Sequence, residues 1–314
     1  MGTGPFAVPT LRRLHASPHE VAAVVTRPPR GRRPQAPPMQ EAADGLGLPV
    51  LQPETVNCDE FRATLEQLKP ELLVVCDYGE ILKPATLAVT PLGGVNLHGS
   101  LLPKFRGAAP VQWAVLKGES ETGNTVIQMT PGLDAGPCLG VQRVAIDPDE
   151  TAGELEERLA EQGGELVLQV VDQLQAGTAA PIEQNASLSS KAPRLTKEHG
   201  SIDWSQPALT IKNQVRALQP WPRTFTFLHS GDTAPQRLIV HRAEVIGESD
   251  SDLTPPATGA ASGTVLHCQS RLIVATGDRP LEILELQPPG KRRMSADEFL
   301  RGHALRQGDT LAAS

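Results

Sequence analysis

One stretch, residues 92–110, constrains this chain more than any other, because an apolar strand ends there abruptly in a polar turn and a helix follows. Successive side chains of a strand alternate between its two faces, so Asn96 and His98 point the same way. Both stand at the carboxyl end of the strand, where open α/β sheets place their ligand crevices. A second polar turn, which contains Asp134, follows the apolar run 125–127. The pattern therefore predicts that an amide, an imidazole and a carboxylate converge at one edge of a sheet.

The first half of the chain alternates short apolar runs with segments of helical periodicity, and this alternation predicts an α/β fold with a doubly wound, mainly parallel sheet. Past residue 200 the pattern changes to short β-type runs separated by turns, which suits a small β-barrel of oligonucleotide-binding type. The predicted strands of the sheet are 21–25, 48–51, 71–76, 95–98 and 125–129, and those of the barrel are 224–228, 237–241, 263–266, 272–275 and 281–286.

A chain of 314 residues suggests two domains on its length alone. The stretch from Gly177 to Gly200 has few large apolar residues and is typical of a linker. We therefore predict a first domain over residues 1–178, a linker over 179–200 and a second domain over 201–314.

The charge of the chain is unevenly distributed. Residues 1–199 carry 17 Lys and Arg against 24 Asp and Glu, whereas residues 200–314 carry 12 of each. This balance argues against binding of bulk polyanions but leaves room for a local phosphate contact. One Pro-rich loop is strongly basic, with Arg27, Arg30, Arg32 and Arg33 and no acid among them.

Other features of the composition bear on the cellular location. No apolar run approaches the roughly 20 residues that cross a membrane, and the amino terminus lacks the pattern of a secretory signal. The four cysteines are scattered, without the paired spacing of a zinc site. We therefore expect a cytoplasmic protein with reduced thiols, no membrane partner and no metal.

The run NLHGSLLPKFRGAAP at residues 96–110, followed by GLDAGP at 132–137, resembles the signature of the folate-dependent formyltransferases. The resemblance covers nearly the whole chain. It implies that Asn96, His98 and Asp134 form the active site, that 10-formyltetrahydrofolate donates the formyl group, and that a turn lines the folate pocket. That turn consists of Ser100, Leu101, Leu102 and Pro103.

The basic loop, the linker and the barrel together resemble the members of that family that formylate the α-amino group of methionyl initiator tRNA for translation initiation. The resemblance then implies tRNA contacts from Arg27, Arg30, Arg32 and Arg33, a tRNA-binding barrel and a monomer. An α-amino group has a pKa of about 7.7–8.0 and needs little activation, so we expect direct acyl transfer with oxyanion stabilisation by Asn96 and His98.

Three other functions remain open at this point. A sugar-nucleotide N-formyltransferase would share the three site residues but not the basic loop. A formyl-folate hydrolase unit would continue into an aldehyde dehydrogenase domain. A non-catalytic RNA-binding protein would have lost at least one of Asn96, His98 and Asp134, and all three are present.

The family places an apolar strand before its first glycine turn, and here Met1 directly precedes the turn at residues 2–6. We expect that strand to lie in the sheet between the strand at 21–25 and the strands at 74–76 and 95–98. Its omission leaves a slot in the core, and we therefore expect the reading frame to start upstream of Met1.

Overall fold

The computed structural model describes residues 1–31, 34–231, 234–247 and 260–313. The chain divides into two compact units. Unit 1 comprises Met1–Val111, Ser120–Ile146 and Glu154–Pro193, and unit 2 comprises Gln112–Glu119, Asp147–Gly153 and Arg194–Ser314. The last change from unit 1 to unit 2 falls inside the segment predicted as a linker. Within the described ranges, no helix has the length and apolar character needed to cross a membrane.

The eight α-helices of the described ranges differ widely in length, and the longest is α6. They are α1 (Val8–His15), α2 (Pro38–Gly45), α3 (Asp59–Leu68), α4 (Pro84–Leu87), α5 (Pro110–Leu116), α6 (Ala152–Gln175), α7 (Ala208–Ala217) and α8 (Ala296–Gly302). The strands of unit 1 are β1 (Val24–Val25), β2 (Val50–Leu51), β3 (Leu73–Cys76), β4 (Gly94–His98), β5 (Arg106–Gly107), β6 (Glu121–Gln128), β7 (Cys138–Ala145) and β8 (Lys191–Ala192). The strands of unit 2 are β9 (Thr224–His229), β10 (Gln236–Val245), β11 (Val265–His267), β12 (Leu272–Val274), β13 (Leu281–Gln287), β14 (Met294–Ser295) and β15 (Thr310–Ala312).

The main sheet of unit 1 has the strand order β3-β4-β6-β7. Strand β4 runs parallel to β3, whereas β6 is antiparallel to β4 and β7 is antiparallel to β6. A separate parallel pair is formed by β1 and β2. The predicted α/β fold is confirmed, with a sheet that is mixed. The strand predicted at 125–129 overlaps the second half of the longer strand β6, which ends at Gln128, and the following strand β7 was not predicted.

Helix α6 packs closely against the strand that carries the predicted site. A Cβ built on Gly163 of α6 would lie 2.7 Å from a methyl carbon of Leu97, so any larger residue here would displace the Leu97 side chain. The fully buried carboxamide of Asn124 donates a hydrogen bond of 2.8 Å to the carbonyl oxygen of Leu159, which joins β6 to the same helix. Helix α6 is thus in contact with both β4 and β6.

A gap separates β1 from β3, and Met1 and Gly2 supply backbone hydrogen bonds across it. The amino group of Met1 donates to Val74 O at 2.6 Å, Cys76 N donates to Met1 O at 2.9 Å, and Gly2 N donates to Val25 O at 2.9 Å. The rest of the gap is a cavity of about 570 Å³ lined mainly by apolar residues of β1, β3 and their neighbours.

The second unit is an antiparallel sheet with the strand order β11-β12-β13-β10-β9-β15, and β14 pairs with β13. Its two ends approach each other, because Val265 N donates to Asp309 O at 2.8 Å and Leu311 N donates to Gly263 O at 2.7 Å. Buried apolar side chains fill the interior, and they include the aromatic rings of Trp204 and Phe299. The predicted barrel-like architecture is confirmed: β9 to β13 correspond to the five predicted runs, and β14 and β15 are additional.

Candidate active site

Asn96 and His98 occupy one face of β4, the strand between β3 and β6. The side chain of His98 is buried, whereas Asn96 is half-buried in the middle of the strand. The Asn96 carboxamide forms no hydrogen bond with any residue that the structure describes, although an amide offers two donors and an acceptor. The Asn96 side chain is therefore available to a ligand.

The imidazole of His98 has one nitrogen held inside the protein and one facing the site. Its Nε2 lies 2.8 Å from the carbonyl oxygen of Phe105. Because a carbonyl only accepts, this contact assigns the hydrogen to Nε2 and leaves Nδ1 as the second, variable position.

Ser100 fixes the carbonyl that orients His98. Its fully buried hydroxyl donates to Lys104 O at 2.7 Å and accepts from Phe105 N at 3.1 Å. The Ser100 hydroxyl therefore forms hydrogen bonds within the turn, and these bonds hold Phe105 O next to Nε2 of His98.

Asp134 brings a carboxylate close to the second nitrogen of His98, Nδ1. Its Oδ2 lies 3.8 Å from His98 Nδ1, and the two side chains are 12% and 7% exposed. The same oxygen accepts a hydrogen bond of 2.9 Å from Gly107 N. The distance to Nδ1 is too long for a direct hydrogen bond, but the carboxylate is close enough to attract a positive charge on the imidazole once Nδ1 takes up a proton.

The route by which Asp134 reaches His98 differs from the one that the sequence pattern predicted. The pattern placed the end of the 125–129 strand beside the end of β4, which requires parallel strands. In the structure β6 is antiparallel, His98 pairs with Thr125, and Gln128 pairs with Val95 at the other end of β4. The loop between β6 and β7 therefore returns by about 10 Å along the sheet, three residues at about 3.3 Å each, and carries Asp134 back to His98.

The backbone conformation and the close packing at Gly107 both require a glycine. Its φ is +129°, and a Cβ on it would collide with the carbonyl oxygen of Ala192. This close approach occurs because β5 pairs in parallel with β8. Glycine at this position lets the Gly107 N–H reach the Asp134 carboxylate.

The turn predicted to line the folate pocket is anchored by β6. Thr125 Oγ1 donates to Ser100 O at 2.6 Å and accepts from Leu102 N at 3.2 Å. Leu101, Leu102 and Pro103 are half-buried, so apolar surface of the turn remains accessible. Thr125 was not singled out from the sequence, since a threonine in an apolar strand carries no special signal there.

The basic loop is described only in part. Arg27 Nη1 donates to Gly79 O at 2.8 Å, and Arg30 Nη2 lies 3.5 Å from a carboxylate oxygen of the exposed Glu54. Arg32 and Arg33 lie outside the described residues. The contact of Arg27 attaches the start of the loop to the turn that follows β3.

As a chemical unit, the site offers a hydrogen-bond donor at Asn96, a proton-accepting nitrogen at His98 and an anion at Asp134. A proton taken up at Nδ1 would be stabilised by the Asp134 carboxylate and by Phe105 O at the other nitrogen. This combination suits an acyl transfer in which an amine loses a proton and a carbonyl oxygen gains negative charge.

Comparison with known proteins shows the family to which the chain belongs. The formyl transferase family matches residues 1–171, and its C-terminal domain matches residues 194–304. A methionyl-tRNA formyltransferase of Desulfotalea psychrophila is 42% identical over 307 residues, which cover 96% of this chain and 91% of that protein. A methionyl-tRNA formyltransferase of Pelobacter propionicus is 43% identical over 321 residues, which cover 100% of this chain and 95% of that protein.

Solved structures share the fold at lower identity. The N-formyltransferase from Helicobacter canadensis, in complex with folinic acid and dTDP-3-aminofucose, superposes with a TM-score of 0.64 at 17% identity and covers 91% of this chain and 97% of that one. The sugar 3N-formyltransferase WlaRD gives a TM-score of 0.65 at 16% identity, with 93% and 97% covered. At this identity the likeness concerns the architecture.

Proposed function

The chain belongs to the formyl transferase family, and we propose that it transfers the formyl group of 10-formyltetrahydrofolate to the α-amino group of methionyl initiator tRNA, for translation initiation. The observation that carries this proposal is the convergence of Asn96, His98 and Asp134 in a chain that aligns almost end to end with methionyl-tRNA formyltransferases. The reaction is a direct acyl transfer, without a covalent enzyme intermediate.

Asn96 acts on the formyl oxygen. As the amine attacks, negative charge develops on this oxygen, and the Asn96 NH₂ group donates a hydrogen bond to it. The unpartnered carboxamide on the face of β4 supports this role, because a preorganised donor needs no rearrangement at the moment of reaction. In turnover, one such donor contributes about 10²–10³-fold.

His98 and Asp134 transfer the proton. This role differs from the oxyanion donor that the sequence led us to expect of His98, because the hydrogen on Nε2 is donated to Phe105 O and the neutral imidazole has no second N–H for the formyl oxygen. The attacking amine loses a proton when its bond to the formyl carbon forms, and Nδ1 of His98 accepts it. Asp134 stabilises the resulting imidazolium, and the proton then passes to the folate nitrogen as the bond from that nitrogen to the formyl carbon breaks. The hydrogen bond from His98 Nε2 to Phe105 O supports this assignment, because it leaves Nδ1 as the reacting nitrogen.

The turn from Ser100 to Pro103 holds the folate. The accessible apolar surface of Leu101, Leu102 and Pro103 fits the flat ring system of a folate, and Ser100 contributes by fixing the backbone. When bound, the folate supplies the formyl carbon and a nitrogen leaving group. The catalysis proposed here uses no metal.

The tRNA is recognised by the basic loop and by the barrel. Arg27, Arg30, Arg32 and Arg33 contact the phosphates of the acceptor stem, and residues 201–314 bind the body of the tRNA. The hydrogen bond from Arg27 to Gly79 O supports this arrangement, since it ties the start of the loop to unit 1, which carries the catalytic residues. The protein acts in the cytoplasm as a monomer.

The test is a formyl-transfer assay with purified protein and 10-formyltetrahydrofolate. Four amines are compared as acceptors: methionyl initiator tRNA, methionyl elongator tRNA, free methionine and a dTDP-amino sugar. We expect turnover with the charged initiator tRNA and little with the other three. Preferential formylation of the amino sugar would instead make the protein a sugar-nucleotide N-formyltransferase, and release of formate without any acceptor would make it a hydrolase.

A further inference from the structure

Gln184 connects the Asp134 turn to an arginine of the formyltransferase signature. Its Nε2 donates to Asp134 O at 2.9 Å and to Gly136 O at 2.7 Å. Its Oε1 accepts from Arg106 Nε at 3.2 Å and from Arg106 Nη2 at 2.6 Å. A carboxamide has two N–H donors and two acceptor lone pairs, so all four are used here.

The segment that carries Gln184 is held in place independently of this side chain. Ile182 and Cys138 exchange two backbone hydrogen bonds of 2.8 and 2.9 Å, which pin the segment against the start of β7. Gln184 follows two residues later. These backbone hydrogen bonds therefore fix the position from which the Gln184 side chain extends to the turn.

Arg106 strengthens the contacts that Gln184 makes with the turn. Two guanidinium N–H groups on Oε1 polarise the amide, and hydrogen bonds in such a chain reinforce one another. The two acceptors, Asp134 O and Gly136 O, flank residue 135. Holding both carbonyls sets the curvature of the turn at the residue whose carboxylate faces His98.

The conformation of the turn makes such a clamp necessary. Asp134 has a φ of +48°, a left-handed conformation that is unfavourable for a residue with a side chain. A Cβ on Gly136 would collide with Gln128 O, so the turn also passes close to the end of β6. A strained turn persists only when its surroundings determine it, and Gln184 supplies two of the bonds that do so.

We propose that Gln184 is a positioning residue for formyl transfer, which holds the Asp134 turn so that the carboxylate faces His98 Nδ1 and Gly107 N. This inference rests on the proposed function. Gln184 touches neither His98 nor, in this scheme, the reacting atoms, and it acts through Asp134.

Two substitutions distinguish the role of the Gln184 N–H donors from that of its acceptor oxygen. Gln184→Met keeps the length of the side chain and removes all four hydrogen bonds. Gln184→Glu keeps an acceptor for Arg106 but places carboxylate oxygens against the two carbonyls. If the donors to the turn matter, both variants lose at least about ten-fold in kcat while KM for the folate and for the tRNA stays within about two-fold, because the missing interaction concerns geometry in the transition state.

The matched control is Gln128→Met. Gln128 also donates two hydrogen bonds to backbone carbonyls, Leu92 O and Gly94 O, both at 3.1 Å. These contacts lie at the other end of β4 from His98. The control therefore removes equivalent bonds in the same unit, and we expect its kcat to match that of the unmodified chain.

A second measurement does not depend on the acceptor. The amide hydrogen of Gly107 is bonded to Asp134 Oδ2, so its exchange with solvent reports the position of that carboxylate. We expect faster exchange at Gly107 in both Gln184 variants and unchanged exchange in Gln128→Met. Failure of the unmodified chain to formylate tRNA would refute the proposed function, whereas the exchange data would still decide the role of Gln184. Unchanged protection at Gly107, or a kcat for Gln184→Met equal to that of the control, overturns the inference.

Discussion

Oδ2 of Asp134 stands 3.8 Å from Nδ1 of His98, on the side of the imidazole opposite the hydrogen bond to Phe105 O. The two nitrogens of His98 therefore have different neighbours, which come from different loops. One is fixed by the loop that follows β4, and the other faces a carboxylate from the loop that follows β6.

Alanine at any of the three proposed catalytic positions should reduce turnover strongly. For Asn96→Ala we expect a loss of about 10²–10³ in kcat, the usual effect of removing an oxyanion donor. His98→Ala and Asp134→Ala remove the proton acceptor and the group that stabilises its charge. Single-turnover kinetics with charged tRNA measure these effects, and circular dichroism checks the fold. Near-normal turnover in one variant would exclude that residue from the mechanism.

Thr125→Val should weaken folate binding. The substitution preserves shape but removes the hydroxyl that joins Ser100 O to Leu102 N, which loosens the turn. A buried polar group left unpaired costs about 1–3 kcal/mol, so we expect KM for the folate to rise about ten-fold or more. Thr122→Val, also at a buried threonine of β6, is the control and should leave KM unchanged. Equal KM values in the two variants would contradict the anchoring role.

Removal of two arginines from the basic loop should change how tRNA binding depends on salt. We expect Arg32→Ala with Arg33→Ala to weaken tRNA binding and to reduce the slope of log K against log salt by about one unit for each phosphate that these arginines neutralise. Arg143→Ala, at an exposed arginine of β7 paired with Glu121, is the control for loss of an arginine outside the loop. Folate binding should be unaffected. A slope that stays the same in the double variant would exclude the loop as a phosphate-binding element.

Acid should destabilise unit 2 through His241. Burial lowers the pKa of His241 below its usual 6.5, and the nearby Arg293 and Arg223 add to the effect. The unfolded chain therefore binds a proton at His241 more readily than the native chain does. The contribution of His241 to the free energy of unfolding is fully present above about pH 6.5 and is lost as the pH is lowered. His241→Gln should reduce the loss of stability between pH 7.5 and pH 5, measured by urea unfolding of unit 2. His15→Gln, at an exposed position, should not.

Much of the architecture was predictable from local pattern. The alternation of strands and helices indicated the α/β unit, and the five runs past residue 220 indicated the barrel-like sheet. The strands that escaped prediction in unit 2, β14 and β15, are two and three residues long and carry no periodicity of their own. They become strands because longer neighbours offer them hydrogen-bonding edges.

The sequence by itself determined that Asn96 and His98 share a face, because strand alternation is a local property that any register preserves. It also supplied the signature that singled out Asp134. Only the tertiary structure decided that β6 runs antiparallel, that the loop after it carries Asp134 back to His98, and that Gln184 clamps that loop. Hydrophobic periodicity reports which side of an element is buried but not the direction in which the element runs. Contacts between loops distant in sequence, such as that from Gln184 to Asp134, depend on that direction.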